Sequence, residues 1–66
     1  MTLSVNGAPS ALPSPPTIGA LVASMSTTER GIAVALNGEV VPRSAWDDTG
    51  LAPGDRVEVL TAAQGG

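Results

Sequence analysis

Two Asn-Gly pairs constrain the fold of this chain most strongly. Each pair, Asn6-Gly7 and Asn37-Gly38, directly follows a short run in which large apolar residues alternate with smaller or polar ones. Asn and Gly are the residues that most readily adopt the positive φ angles of a two-residue hairpin turn. The sequence therefore predicts two β-hairpins, one near the start of the chain and one in its second half.

Two prolines indicate where the outer strands of these hairpins lie. The first hairpin joins residues 2–5 to a strand over about Ala8 to Leu12, which contains Pro9, and the second joins 32–36 to 39–41, which Pro42 ends. Proline cannot donate a hydrogen bond to a ladder and is confined to edge strands. Both second strands are therefore predicted to lie at the edges of a sheet.

The last strand follows a turn at Pro53-Gly54-Asp55, in which proline holds its preferred second position. Val57 and Val59 then alternate with charged residues, and the strand is predicted to run to about Leu60 or Thr61. With both edges already assigned, the first and last strands are expected to form the central pair.

A short amphipathic helix is predicted between the hairpins. Thr17 can cap it, and Ile18, Leu21, Val22 and Met25 follow at a spacing that places all four on one face. A helix of about nine residues does not persist alone in water, so we expect it to lie across the sheet. The segment 43–46 is predicted to form a helical turn that buries Trp46.

The order β-β-α-β-β-turn-β predicts an α+β fold of the β-grasp, ubiquitin-like type. We expect a mixed four- to five-stranded sheet with one main helix across one face; another small α+β roll is the alternative. The chain has 66 residues, which leaves room for one small core, so residues 1–66 are predicted to form a single domain with a flexible tail over 62–66.

Composition excludes several function classes. The chain contains no histidine and no cysteine, which removes the usual general base, the thiolate nucleophile and the soft metal ligands, so we expect neither an enzyme nor a metal site. The net charge is −3 and lysine is absent, so we expect no nucleic-acid partner. The longest helix-compatible apolar run, 18–25, is too short for a bilayer, which predicts no membrane partner and a cytoplasmic location.

The sequence ends Gln64-Gly65-Gly66, a few residues past the last strand. Two glycines allow a tail to enter a narrow channel, and they leave the terminal carbonyl carbon unhindered. A carboxylate becomes reactive once ATP converts it to an acyl-adenylate, from which sulfide or a persulfide displaces AMP. Because the chain has no phosphate-binding loop and no lysine, a partner enzyme would have to catalyse this activation. The alternative is an ordinary frayed terminus.

The sequence resembles the sulfur-carrier protein of thiamine biosynthesis, the ThiS family, in three segments: 35–46, 51–59 and 64–66. This resemblance implies that an E1-like enzyme, which consumes the ATP, adenylates Gly66. A sulfur-donating enzyme then supplies the sulfur of a thiocarboxylate, which thiazole synthase uses. It also implies that Gly65 and Gln64 are flexible neighbours and that the carrier itself binds no cofactor.

Other functions stay open at this point. The sister carrier of molybdopterin synthase shares the fold and the Gly-Gly end, but it typically lacks the V-P-R-x-x-W segment found here at 41–46, which favours the thiamine branch. A ubiquitin-like modifier joined to lysine amines would use the same activation chemistry. A non-covalent binding module would need the glycines only for flexibility.

A docking surface is predicted beside the tail. If the alternation holds, Leu60, Ala33 and Ala35 lie on the sheet face away from the helix, where an apolar patch would contact a partner. The alternative is a surface with scattered alanines of no special role.

Overall fold

A computed structural model of the chain describes residues 2–25 and 31–61. Within these two ranges, five strands form one mixed sheet in the order β2-β1-β5-β3-β4, with one α-helix and one 3-10 helix in the connections. This is the predicted α+β, β-grasp arrangement. The elements are β1 Thr2–Val5, β2 Ala8–Ala11, α1 Ile18–Ser24, β3 Ile32–Leu36, β4 Glu39–Val41, the 3-10 helix Arg43–Asp48 and β5 Arg56–Thr61.

The sheet is built from two antiparallel hairpins joined through the last strand. β1 pairs with β2 and β3 pairs with β4, while β5 lies between them, parallel to β1 and antiparallel to β3. The predicted central pair of first and last strands is confirmed. Pro9 lies within edge strand β2 and Pro42 directly follows edge strand β4, as the missing proline N–H requires.

Both Asn-Gly pairs form the predicted turns. Asn6 and Gly7 have φ angles of 53° and 85°, and Asn37 and Gly38 have φ angles of 51° and 89°. Positive φ at both central residues defines the type I′ turn, whose twist matches that of the flanking strands. These turns fix the register of each hairpin.

The helix begins as predicted and ends earlier. The side-chain oxygen of Thr17 accepts a hydrogen bond of 3.1 Å from the backbone N–H of Ala20. α1 has seven residues rather than about nine, because Met25 adopts an extended backbone (φ −88°, ψ 130°) and its N–H donates to the carbonyl of Val22. Met25 is therefore the C-cap, although its side chain still packs against the core.

Strand β2 is also shorter than predicted, ending at Ala11 rather than Leu12. Ala11 pairs with Thr2, the first residue of β1, so Leu12 lies past the end of this ladder. Leu12 then precedes Pro13 and packs partly buried against the core.

The core fills the space between the sheet and the two helices. Trp46 is only 5% exposed, and its ring N–H donates a 3.0 Å hydrogen bond to the carbonyl of Val41. The predicted helical turn that buries this tryptophan is thus confirmed, as a 3-10 helix. The buried residues are Leu3, Ile18, Leu21, Val22, Val34, Trp46, Leu51, Val57 and Val59. In residues 2–25 and 31–61, no helix has the length and apolar character needed to cross a bilayer.

Candidate functional site

The Gly-Gly pair follows strand β5 closely in the sequence. β5 ends at Thr61, and Gly66 follows five residues later. At about 3.4 Å per extended residue, five residues reach at most about 17 Å beyond the strand. The predicted tail residues Gln64, Gly65 and Gly66 themselves lie outside the described residues.

A type II turn leads into β5. Gly54 has a φ angle of 90°, and the N–H of Asp55 donates a 3.1 Å hydrogen bond to the carbonyl of Ala52 across the turn. One carboxylate oxygen of Asp55 accepts 2.9 Å from the N–H of Ala52. Proline before a glycine with positive φ is the pattern that this turn type requires, so the prediction at Pro53-Gly54-Asp55 is confirmed.

The side chain of Asn37 holds the start of β5. Its Oδ1 atom accepts a 2.9 Å hydrogen bond from the N–H of Arg56, while the backbone N–H of Asn37 donates 2.7 Å to the carbonyl of Arg56. Its Nδ2 atom also donates to Asp55 at 3.2 Å. The second hairpin is therefore attached to the turn that precedes β5 as well as to the strand.

The side chain of Asn6 makes a similar clamp nearer the end of β5. The backbone N–H of Asn6 donates 2.9 Å to the carbonyl of Val57. Its Oδ1 atom accepts 2.8 Å from the N–H of Val59, and its Nδ2 atom donates 3.1 Å to the carbonyl of the same residue. Sequence reasoning assigned Asn6 to the turn and missed this second contact, for which the sequence carries no separate signal.

An apolar patch covers part of the sheet face opposite α1. Val57 and Val59 are buried, so the intervening residue Glu58 and the following Leu60 face outward, and Leu60 is 63% exposed. Ala33 pairs with Leu60 and is also exposed, while Ala35 is half-buried. The structure therefore places the three predicted surface residues on the face away from the helix.

The patch includes one residue that sequence reasoning missed. Val40 is 76% exposed and pairs with Ala35 across the second hairpin. The two-residue Asn-Gly turn already implies this pairing, because it places Val40 opposite Ala35 in register. We define the outer patch as Leu60, Ala33, Ala35 and Val40.

Charged residues adjoin the outer patch along β5. Glu58 pairs with Ala35, and Arg56 pairs with Ser4 on the same outward-facing side of the sheet. Both side chains are exposed. A partner that covers the patch would therefore contact one carboxylate directly beside the apolar surface.

A concave region lies on the helix side of the sheet. It is a groove of about 570 Å³ lined by Gly19, Ser44, Asp47, Trp46 and Arg43. The guanidinium carbon of Arg43 lies 5.7 Å from the centre of the Trp46 ring, within the range of a cation–π contact. No three acidic side chains within the described ranges are grouped so as to hold a metal ion.

Comparisons with known proteins give a family. Residues 3–66 match the model of the ThiS family. The fold is similar to the crystal structure of the thiamine biosynthesis protein ThiS from Geobacter metallireducens, with 36% sequence identity, a TM-score of 0.79 and full coverage of both chains. No significant match was found among curated proteins. The family match spans nearly the whole sequence and includes the Gly-Gly segment, so this chain belongs to the ThiS family.

Proposed function

We propose that this protein is a sulfur carrier for the synthesis of the thiazole ring of thiamine, and that Gly66 is the residue that carries the sulfur. The observation that supports this most directly is the ThiS family match, which extends to residue 66 and so includes both glycines. The ThiS structure of similar fold bears the name of a thiamine biosynthesis protein. Gly66 follows the central strand β5 by five residues in the sequence, a separation that suits a residue that must enter another protein.

The chemistry requires two displacements at the terminus. A carboxylate oxygen of Gly66 attacks the α-phosphorus of ATP, pyrophosphate leaves, and an acyl-adenylate forms. Hydrosulfide then attacks the acyl carbon and AMP leaves, which produces the thiocarboxylate. Each step is catalysed by a partner, because the chain has no lysine, histidine or cysteine with which to hold the phosphates or move the protons. The carrier is thus a substrate rather than an enzyme, and the nucleotide belongs to the activating partner.

Three partners follow from this sequence of reactions. An E1-like enzyme adenylates Gly66, a sulfur-donating enzyme supplies the sulfur, and thiazole synthase receives it. We assign the outer patch as the surface that docks on the E1-like enzyme, because Leu60 lies on β5 and is six residues from Gly66. An enzyme that binds the patch would therefore hold the tail at its own active site. The E1-like enzyme consumes ATP, which the cytoplasm supplies, so we place the reaction in the cytoplasm.

The test is the intact mass of the protein after reaction with a purified E1-like enzyme, ATP and sulfide. We expect the mass change that corresponds to replacing one oxygen by one sulfur, located on Gly66 by fragmentation. The matched control is a variant with one alanine added after Gly66, which leaves residues 1–66 intact but displaces the carboxylate, and we expect it to stay unmodified. An unmodified wild-type chain, under conditions in which the enzyme loads another ThiS-family carrier, would contradict the proposal.

Two other outcomes of this experiment would indicate a different function. Conjugates to lysine side chains of other proteins in the presence of ATP would indicate a ubiquitin-like modifier. Sulfur transfer from the thiocarboxylate to molybdopterin synthase, with none to thiazole synthase, would indicate the sister pathway.

A further inference from the structure

We propose that Asn6 is a positioning residue for the reaction at Gly66: its side-chain amide aligns the end of β5, the strand that precedes the tail. This inference rests on the proposed function, since it concerns how the tail reaches the activating enzyme. It is carried by the two hydrogen bonds between the Asn6 side chain and the backbone of Val59.

The Asn6 amide continues a ladder that the backbone of β1 has left. β1 ends at Val5, which pairs with Val57, and there the chain turns away into the first hairpin. The amide of Asn6 then presents an acceptor to the Val59 N–H at 2.8 Å and a donor to the Val59 carbonyl at 3.1 Å. A side-chain amide has the same two groups as a peptide unit, so it replaces one more residue of β1.

The turn itself does not need this amide. Gly-Gly and Asp-Gly also form type I′ turns, so the positive φ of Asn6 is available to other residues. Neither glycine nor aspartate, however, offers both a donor and an acceptor to Val59. The choice of asparagine at this turn therefore serves a second purpose beyond chain reversal.

Support on both edges is what fixes the direction of a strand. On its other edge β5 is held by β3 as far as the pairing of Thr61 with Ile32. A strand bonded along one edge can still twist and swing about that edge. In the described part of the chain, the Asn6 amide is the β1-side contact nearest to the tail, so it limits this motion where the tail begins.

The expected effect appears in substrate recognition. If the end of β5 is aligned for docking in a smaller fraction of molecules, the apparent affinity for the E1-like enzyme falls in proportion to that fraction. Once the tail is bound in the enzyme, the direction is set and the chemical step proceeds as before. Loss of the clamp should therefore raise KM for the carrier and leave kcat unchanged.

The test compares Asn6→Gly with Asn37→Gly, a matched control at the other end of β5. Both substitutions keep a residue suited to positive φ and remove an amide that bonds the backbone of β5. We expect Asn6→Gly to raise KM for adenylation by about fivefold to 150-fold, the range that corresponds to the loss of two ordinary hydrogen bonds, with kcat unchanged. Asn37→Gly should change KM less than about twofold. Circular dichroism would verify that both variants are folded.

Amide hydrogen exchange supplies a readout independent of the enzyme. The N–H of Val59 should exchange faster in Asn6→Gly and keep its protection in Asn37→Gly. If Asn6→Gly does not fold, the pair Asn6→Asp and Asn37→Asp replaces it, because aspartate keeps the acceptor and loses the donor. We then expect a smaller rise in KM, again confined to the change at Asn6.

The outcomes separate this inference from the function on which it rests. Wild-type protein that the E1-like enzyme does not adenylate would contradict the proposed function. Adenylation of the wild type, with equal KM values for the two glycine variants or a loss confined to kcat in Asn6→Gly, would overturn the positioning role alone.

Discussion

Adjacent residues of β5 face opposite sides of the sheet. Two alanine substitutions there should therefore have opposite effects, one on partner binding and the other on stability. Leu60 is 63% exposed, whereas its neighbour Val59 is 7% exposed. Leu60→Ala should weaken binding to the E1-like enzyme with little loss of stability. Val59→Ala should lower stability and leave the binding of the folded protein unchanged.

The exposed fractions set the magnitudes. Full burial of a leucine side chain contributes about 1.5–3 kcal/mol, so covering the exposed 63% of Leu60 is worth about 1–2 kcal/mol to a partner. Its loss corresponds to a rise of about fivefold to thirtyfold in Kd. The part of Leu60 that the fold already buries is worth about 0.5–1 kcal/mol of stability. Val59→Ala removes buried methyl groups and leaves a cavity, at a cost of about 2 kcal/mol.

Two measurements decide the result. Trp46, the single tryptophan, reports urea unfolding by fluorescence. The KM for the carrier protein, measured from pyrophosphate release by the E1-like enzyme, reports how well the enzyme recognises the carrier. Since a chain of this length has a total stability of about 3–10 kcal/mol, Val59→Ala should remain folded in the absence of urea. A rise in KM for Val59→Ala as large as that for Leu60→Ala, or an unchanged KM for Leu60→Ala, would refute the assignment of the outer patch.

Two further substitutions test the packing of the helix side. Trp46→Phe removes the donor to the carbonyl of Val41, so we expect a loss of about 1–3 kcal/mol in the free energy of unfolding, measured by urea unfolding followed by circular dichroism; a loss below about 0.5 kcal/mol would contradict that contact. Gly19→Ala favours helix by up to about 1 kcal/mol, but its Cβ would meet the carboxylate of Asp47. We therefore expect a larger gain in thermal stability in an Asp47→Ala background than in the wild type, and equal gains would show that the carboxylate moves aside freely.

Local chemistry made much of the fold predictable from sequence. The positive φ angles of the Asn-Gly turns, the Thr17 cap and the type II turn before β5 each depend on a few adjacent residues. Period-two alternation identified the buried side of β3 and β5. Proline at the two outer strands then left few possible strand orders, and the observed order is one of them.

Features that depend on tertiary contacts were not predictable in the same way. The helix ends at Ser24 because Met25 turns to an extended backbone, and β2 ends at Ala11, which pairs with Thr2. The contact of the Asn6 side chain with Val59 joins residues 53 positions apart, which no local pattern reveals. Val40 is a different case, since the register of its own hairpin places it beside Ala35.

The register of β5 connects the core to the proposed site. A shift of one residue would turn Val57 and Val59 outward and Glu58 and Leu60 into the core, because side chains alternate along a strand. The two asparagines bond to backbone atoms of β5, near its start and near its end, so they oppose such a shift without occupying either face. The same strand can therefore supply buried valines to the core, an exposed leucine to the outer patch and a fixed origin for the tail.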